Sequence, residues 1–238
     1  MEPQLIIDAR MRIIEKEKLK ELGYQLIEIK PNRKIYEEIS SHVDIFTCKI
    51  GNTLIIEPNL YNLIKHQIKE CNCIKEGKTS VESNYPYDIK YNVCIIGKKA
   101  LHKFEFIDPN IKEELENQGY ELINTTQGYT NCSIAVIDEN SAIVTDKGLY
   151  KILKKHNIEV LYLEYEPDIK LLSNGGYSEK NGFIGGAISR INNNIIITGD
   201  LRKIDKDEKI RKFIQERNFN IIEFKNLEVV DYGGILSV

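Results

Sequence analysis

Residues 53–60, Thr53-Leu54-Ile55-Ile56-Glu57-Pro58-Asn59-Leu60, and residues 105–111, Glu105-Phe106-Ile107-Asp108-Pro109-Asn110-Ile111, are near copies of one another. Each runs from a short apolar stretch into an acid, a proline, an asparagine and an aliphatic residue. An acid at that point can accept the unpaired N–H groups of a helix start, and proline at the first helical position has no N–H to lose. Each stretch therefore reads as a buried strand leading straight into a helix. The helix ends are copied as well. Leu22-Gly23-Tyr24-Gln25-Leu26-Ile27 matches Gln118-Gly119-Tyr120-Glu121-Leu122-Ile123, with glycine where a helix terminus commonly needs a positive φ.

The same strand-to-acid-to-helix junction occurs at Asp8, Glu57, Asp108, Asp146 and Asp200, about 40 to 55 residues apart, a period that signals a repeat architecture. The expected helices cover Ala9 to Leu22, with Ile13, Ile14, Leu19 and Leu22 as the apolar stripe, and residues 59–70, with Leu60, Leu63, Ile64 and Ile68. Three more start at Asp108, Thr145-Asp146 and Gly199-Asp200, the last running from Ile204 to Glu216. Paired strands are expected at Asp88 to Ile96 with Ala100 to Ile107, at Ser133 to Ile137 with Ala142 to Val144, and at Phe183 to Ser189 with Ile195 to Thr198. Val229 to Val238 is a last strand, broken by Gly233-Gly234. Cys71 to Tyr87, with one short strand near Cys73-Ile74, and Leu171 to Gly182 are loops, the segments most able to act as lids. The unit is thus β-β-α-β, and the fifth copy closes only if the C-terminal strand pairs with the N-terminal one. A ring of five blades accounts for the repeat. A doubly wound sheet and two α+β domains are the alternatives, but a Rossmann-type sheet predicts neither a hairpin in each unit nor the shared junctions.

Bulk properties narrow the function. The chain has 238 residues, 42% hydrophobic and 29% charged, with a net charge of -3 and a pI near 5.9. That is ordinary globular composition, long enough for a sizeable core, and it argues against nucleic-acid binding through bulk charge. The N-terminus carries no signal-peptide pattern and no apolar run spans a membrane, so a soluble, cytoplasmic protein without a membrane partner is expected. Five cysteines, Cys48, Cys71, Cys73, Cys94 and Cys132, are expected as reduced thiols. Cys71 and Cys73 form a C-x-C, but no second pair stands at zinc-finger spacing, so no metal is expected. His66, His102 and His156 read as surface residues. Gly182 to Gly186 fits neither a P-loop nor a dinucleotide fingerprint, and it precedes a strand rather than a helix.

The unit that begins at Ser40 differs from the others. It carries His42-Val43-Asp44 ahead of Ile45-Phe46-Thr47, and on a strand residues two apart face the same way. Five ββαβ units of this length, together with that His-x-Asp-x-aromatic run, resemble the pentein superfamily, the β/α propellers of the guanidino-group modifying enzymes. Gly128-Tyr129-Thr130-Asn131-Cys132-Ser133 resembles the family's glycine-rich cysteine motif, with one of two glycines kept. The family places its cysteine in the last blade, whereas two units follow Cys132 here. Asp231-Tyr232-Gly233-Gly234-Ile235-Leu236-Ser237 resembles the same motif with Ser in place of Cys. Either the order is permuted or the repeat makes both matches fortuitous.

The resemblance implies an α/β fold, a five-bladed pseudo-fivefold propeller in which residues 1–238 form a single domain closed by the N- and C-terminal strands. The glycines of 182–186 would let the chain approach the axis. It also implies a guanidino or amidine small molecule as ligand and a Cys/His-dependent hydrolase or transferase without cofactor. Cys132 would attack the guanidinium carbon, and His42 would protonate the leaving amine and then activate water. Asp44 would orient His42 or bind the guanidinium. Asp88 and Asp231 are candidate second carboxylates, Arg10 would meet a substrate carboxylate, and Asn131 stands beside the nucleophile. The alternative is a pentein binding module without catalysis, which would bind a ribosome, a protein or a small ligand. Oligomeric state is not read from the sequence.

Overall fold

Middle strands of the repeat such as Thr53–Ile56 and Ser141–Val144 are largely apolar and buried along their whole length. Strands covered on both faces carry no polar alternation. The computed structural model describes residues 3–69 and 73–238. Among the described residues the strands form five three-stranded sheets and one two-stranded sheet, a mixed α/β fold of small sheets rather than one doubly wound sheet. In each three-stranded sheet the middle strand is antiparallel to one neighbour and parallel to the strand reached through a helix. Thus Thr53–Ile56 pairs antiparallel with Thr47–Ile50 and parallel with Cys73–Glu76. Lys99–His102, Ser141–Val144 and Asn194–Ile197 are the middle strands of three further sheets. In the fifth, Gln4–Asp8 is parallel to Gln25–Ile29 and antiparallel to Leu236–Ser237, with Leu5 opposite Ser237 and Ile6 opposite Leu236.

The junction acids do what their position requires. Glu57, Asp108, Asp146 and Asp200 are the N-cap residues of the helices that follow, and each accepts a backbone N–H, from Leu60, Asn110, Leu149 and Arg202 respectively. Asp8 accepts the Arg10 N–H instead, because its helix, Ile13–Glu21, starts later, after Arg12.

Several expectations change. The first helix does not bury the expected stripe: Ile13 is 74% and Ile14 56% exposed, Leu22 is also exposed, and Leu19 and Glu15 are the buried residues. Glu15 pairs with Arg12 and accepts the Tyr232 hydroxyl, and Arg12 donates to the carbonyls of Thr198 and Glu228, so polar contacts together with Leu19, rather than the expected apolar stripe, dock this helix. The second helix is Pro58–Ile64, with Leu63 exposed. The last helix shortens to Lys209–Gln215 because Asp207 and Glu208 take positive φ. Asp88 to Val93 is irregular, and the strand is only Cys94–Ile96. Ala100 to Ile107 gives a strand as far as His102 and a 3₁₀ turn at Phe104–Phe106. Val229 to Val238 is a strand only at Leu236–Ser237. Leu171 to Gly182 is not a loop but most of a β-hairpin, Lys170–Ser173 with Gly176–Asn181. Cys71 lies outside the described residues, and the strand expected near Cys73 is Cys73–Glu76.

Three short inserts matter most for the site. Val43–Phe46, Thr130–Ser133 and Ile184–Ala187 are single helical turns, each leading directly into the outer antiparallel strand of a sheet. The sequence suggests plain strands at His42–Asp44 and Phe183–Ser189. Glycine makes the turns fit. A Cβ on Gly186 would lie 1.8 Å from Asp231 Oδ1, and one on Gly233 (φ 68°) would lie 2.4 Å from His42 Cβ. Both positions admit only a residue without a side chain.

Candidate active site

His42 is the N-cap of the turn Val43–Phe46, in extended backbone geometry, and Asp44 sits inside that turn. They therefore converge through a helical turn, not through strand alternation. Cys132 lies in the turn Thr130–Ser133. Its Sγ–H donates to Asp44 Oδ2 at 2.8 Å. Cys132, His42 and Asp231 line one cavity of about 290 Å³, all three at most 2% exposed. Asp231 stands 3.7 Å from His42 Nδ1 and accepts the backbone N–H groups of Phe183 and Gly233 at 2.8 Å each. Neither ring nitrogen of His42 has a hydrogen-bond partner, and neither does Asp44 Oδ1. A fully buried polar group left unpaired is uncommon, because it forfeits its hydration without compensation.

The remaining sequence candidates divide. Asn131 contacts Asp44 weakly, Nδ2 to Oδ2 at 3.4 Å, and lines a second cavity of about 330 Å³ that Asp44 also borders. Asp88 is buried beside the site. Its Oδ2 accepts the Tyr129 hydroxyl, which is itself 2.6 Å from the Tyr36 hydroxyl, and its Oδ1 is unpaired. Tyr36 and Tyr129 line the first cavity, so Asp88 supports its wall without lining it. The structure does not bring Arg10 to the site. Its guanidinium is engaged by Asp8 and by the carbonyls of Glu37 and Glu38. Ser237 belongs to a strand, and its carbonyl accepts the Lys49 ammonium.

Asn92 is a residue that carries no sequence signal. It is fully buried. Its Nδ2 donates to Cys132 Sγ at 3.0 Å, and its Oδ1 accepts the N–H of Asn131 at 2.8 Å and of Cys132 at 3.4 Å. It thus holds both the sulfur and the turn that carries it. His102, expected at the surface, is instead buried behind Asn92, with Nδ1 3.1 Å from the Asn92 carbonyl. Burial lowers its pKa to about 4, so it is neutral at physiological pH and donates from Nδ1. His66 is exposed, and His156 is half-buried and pairs with Glu121.

Electrostatics describe a site short of positive charge. Burial first, and then the charges of Asp44 and Asp231, raise the Cys132 thiol well above its ordinary value, while the Asn92 bond pulls the other way. Burial pushes the Asp44 carboxyl up to about 6, against the pull of His42. Asp88 is also raised by burial. Among the described residues no cluster of His, Cys, Asp or Glu is placed to hold a metal ion, and no helix is long and apolar enough to cross a membrane.

Residues 6–236 match the family of unknown function DUF6873. The chain belongs to that family. No curated protein matches it. Its fold, however, is shared with solved structures. DDAH from Pseudomonas aeruginosa, a Cys-to-Ser mutant in complex with citrulline, is similar at a TM-score of 0.58 and 10% identity over 100% of both chains. C. jejuni agmatine deiminase gives 0.55 and 14% over 98% of this chain and 81% of its own. The inosamine-phosphate amidinotransferase of Streptomyces griseus gives 0.52 and 11% over 94% and 78%. These are pentein proteins, and this DUF6873 chain has the pentein fold.

Proposed function

We propose that the chain is a pentein cysteine enzyme, a hydrolase or transferase acting on the amidino carbon of a guanidino or amidine cation. The observation that carries the reading is the convergence of Cys132, His42 and Asp231 on one cavity, with Asp44 holding the thiol. In this reading the five sheets are blades around a pseudo-fivefold axis, closed by the pairing of Leu236–Ser237 with Gln4–Asp8, and residues 1–238 form one domain.

At rest the thiol is protonated, since burial and two carboxylates oppose another negative charge. A ligand cation beside Asp231 offsets that opposition. The thiol proton then passes to Asp44, and the thiolate attacks the amidino carbon. His42 protonates the departing nitrogen as its C–N bond breaks, leaving the amidino carbon bonded to Sγ. Water attacks that carbon, His42 takes the water's proton, and the C–S bond breaks to release a urea or amide, with Asp44 returning its proton to the sulfur. An amine in place of water would give amidino transfer. Asn92, donating to Sγ, stabilises the thiolate.

The test is alkylation by 2-chloroacetamidine followed by peptide mapping. Cys132 is expected to displace chloride and carry the amidinomethyl group, and Cys132→Ser is expected to remove that label. A folded protein in which Cys132 stays unlabelled overturns the proposal. One observation favours a second reading, a binding module without catalysis: the thiol donates to Asp44, and burial first, then the Asp44 charge, raise its pKa. That reading predicts ligand binding with no label at Cys132.

A further inference from the structure

The cavity around Cys132 is lopsided in charge. Asp231 lines it from within and Glu38 lines it near the mouth. Lys180 is the only lysine or arginine among the described lining residues, and its side chain is 66% exposed. It is also already engaged: its Nζ lies 2.9 Å from Glu38 Oε1 and over the Tyr36 ring at 5.5 Å. The Lys180 bond, more than any other contact, lowers the Glu38 pKa, and the Ser178 hydroxyl adds a 3.2 Å hydrogen bond. Arg10, the other cation near this wall, is spent on Asp8 and on the backbone of Glu37 and Glu38.

Apart from Asn181, the rest of the wall is aromatic or aliphatic. Tyr129 and Phe183 stand with ring centroids 6.1 Å apart, and Tyr36, Ile39 and Leu171 complete it. At the floor both nitrogens of the fully buried His42 are unpaired. One end of the cavity is thus equipped for a planar cation with N–H and leaving-group chemistry, and the remainder for an apolar body. A ligand carboxylate would be taken out of water beside Glu38 and Asp231 with no unengaged cation to receive it, which is costly.

We infer that the site selects guanidines and amidines whose substituent is an uncharged aryl or alkyl group, and that it discriminates against amino-acid guanidines such as arginine. The inference rests on the proposed function for the location of the amidino end. The Glu38–Lys180 pair is the specificity element. While Glu38 holds the ammonium, Lys180 is not offered to a carboxylate, and Glu38 itself repels one.

Calorimetric titration of folded Cys132→Ser protein tests this without requiring turnover. Benzamidine and butylguanidine are expected to bind at least tenfold more tightly than L-arginine. Glu38→Ala in the same background frees Lys180 and removes a negative charge, so arginine binding is expected to tighten and the ratio to narrow. Lys180→Ala is expected to leave arginine binding within twofold. Equal or tighter binding of arginine in the Cys132→Ser protein overturns the inference. So does a loss of arginine binding in Lys180→Ala, or failure of all three compounds to bind. The two proposals fail separately. Cys132 labelling with a preference for arginine sinks the specificity and keeps the enzyme. A preference for benzamidine with Cys132 unlabelled keeps the specificity and sinks the catalysis.

Discussion

Two sets of buried acids can be set side by side. Glu57, Asp108 and Asp200 are at most 2% exposed and sit where strands become helices. Their oxygens are supplied with donors. Asp108 accepts N–H groups from Lys78, Thr79 and Asn110 and the Thr79 hydroxyl. Asp200 is held well below the usual carboxylate range, first by its Arg202 bond and also by N–H groups of Arg202 and Asn226. Asp44 and Asp88 are just as buried, yet each leaves one oxygen unpaired and each has its pKa raised by burial. Burial is common to both sets, and the supply of donors differs. Glu57, Asp108 and Asp200, with donors at both oxygens, serve the helix starts; Asp44 and Asp88, each with one oxygen left without a donor, are held in a costly state that a cationic ligand would relieve, and Asp231, beside them, has a backbone donor on each oxygen.

His42→Ala is expected to cut ammonia release from an amidine that the protein turns over by about 10² to 10⁴, the usual worth of a general acid or base. Its 2-chloroacetamidine labelling should fall far less, because chloride leaves without protonation. An equal fall in both would place His42 in support of the thiol alone.

Asp108→Ala should act on stability instead. It strands several N–H groups, and a loss of about 2–4 kcal/mol in urea denaturation is expected, with labelling of Cys132 in the folded protein unchanged. A variant of unaltered stability would remove the capping acids from the structural set.

Asp44→Asn should invert that pattern. The native carboxyl titrates at about 6, against about 3.9 in an unfolded chain. The folded state therefore binds the extra proton between those values. The Asp44 contribution is most favourable below pH 4 and declines as pH rises to about 6, a total of about 3 kcal/mol. Asp44→Asn removes that slope, so its stability relative to the wild type should rise between pH 4 and pH 7 and then level off, while Cys132 labelling slows. A difference that stays flat with pH contradicts the raised pKa.

The smallest effect belongs to Asn92. Asn92→Ala removes the donor to Sγ, so the pH profile of Cys132 labelling should move upward and the rate at neutral pH should drop by about tenfold, equivalent to one ordinary hydrogen bond. A slower rate with an unmoved profile would make Asn92 a scaffold for the turn and nothing more.

The junction acids were legible in the sequence because capping is local: at Glu57 and Asp108 a proline and an aliphatic residue follow within three positions, and at every capping acid the partner N–H lies two or three residues on. Cys132 and His42 stood out as residue types in a motif, but their meeting rests on chain segments 90 positions apart. The turns Val43–Phe46, Thr130–Ser133 and Ile184–Ala187 were hidden for a different reason. Four residues show no periodicity, and glycines from elsewhere, such as Gly233 against His42, make room for them. Asn92 was hidden because nothing about a buried amide is visible until its partners are known. The exposed Ile13 and Ile14 misled because apolar spacing says nothing of the contacts that Arg12 and Glu15 make with Thr198, Glu228 and Tyr232, which only the tertiary structure reveals. Arg10 misled in the opposite sense, since its nearness in sequence to Asp8 decided its use.

The most direct measurement compares the rates at which Cys132 is alkylated by 2-chloroacetamidine, a cation, and by 2-chloroacetamide, its neutral counterpart, at pH 7. If the unsatisfied carboxylates make the thiol answer to positive charge, the cation should label Cys132 at least a hundredfold faster, once corrected for the rates with a free thiol. Equal corrected rates would contradict it.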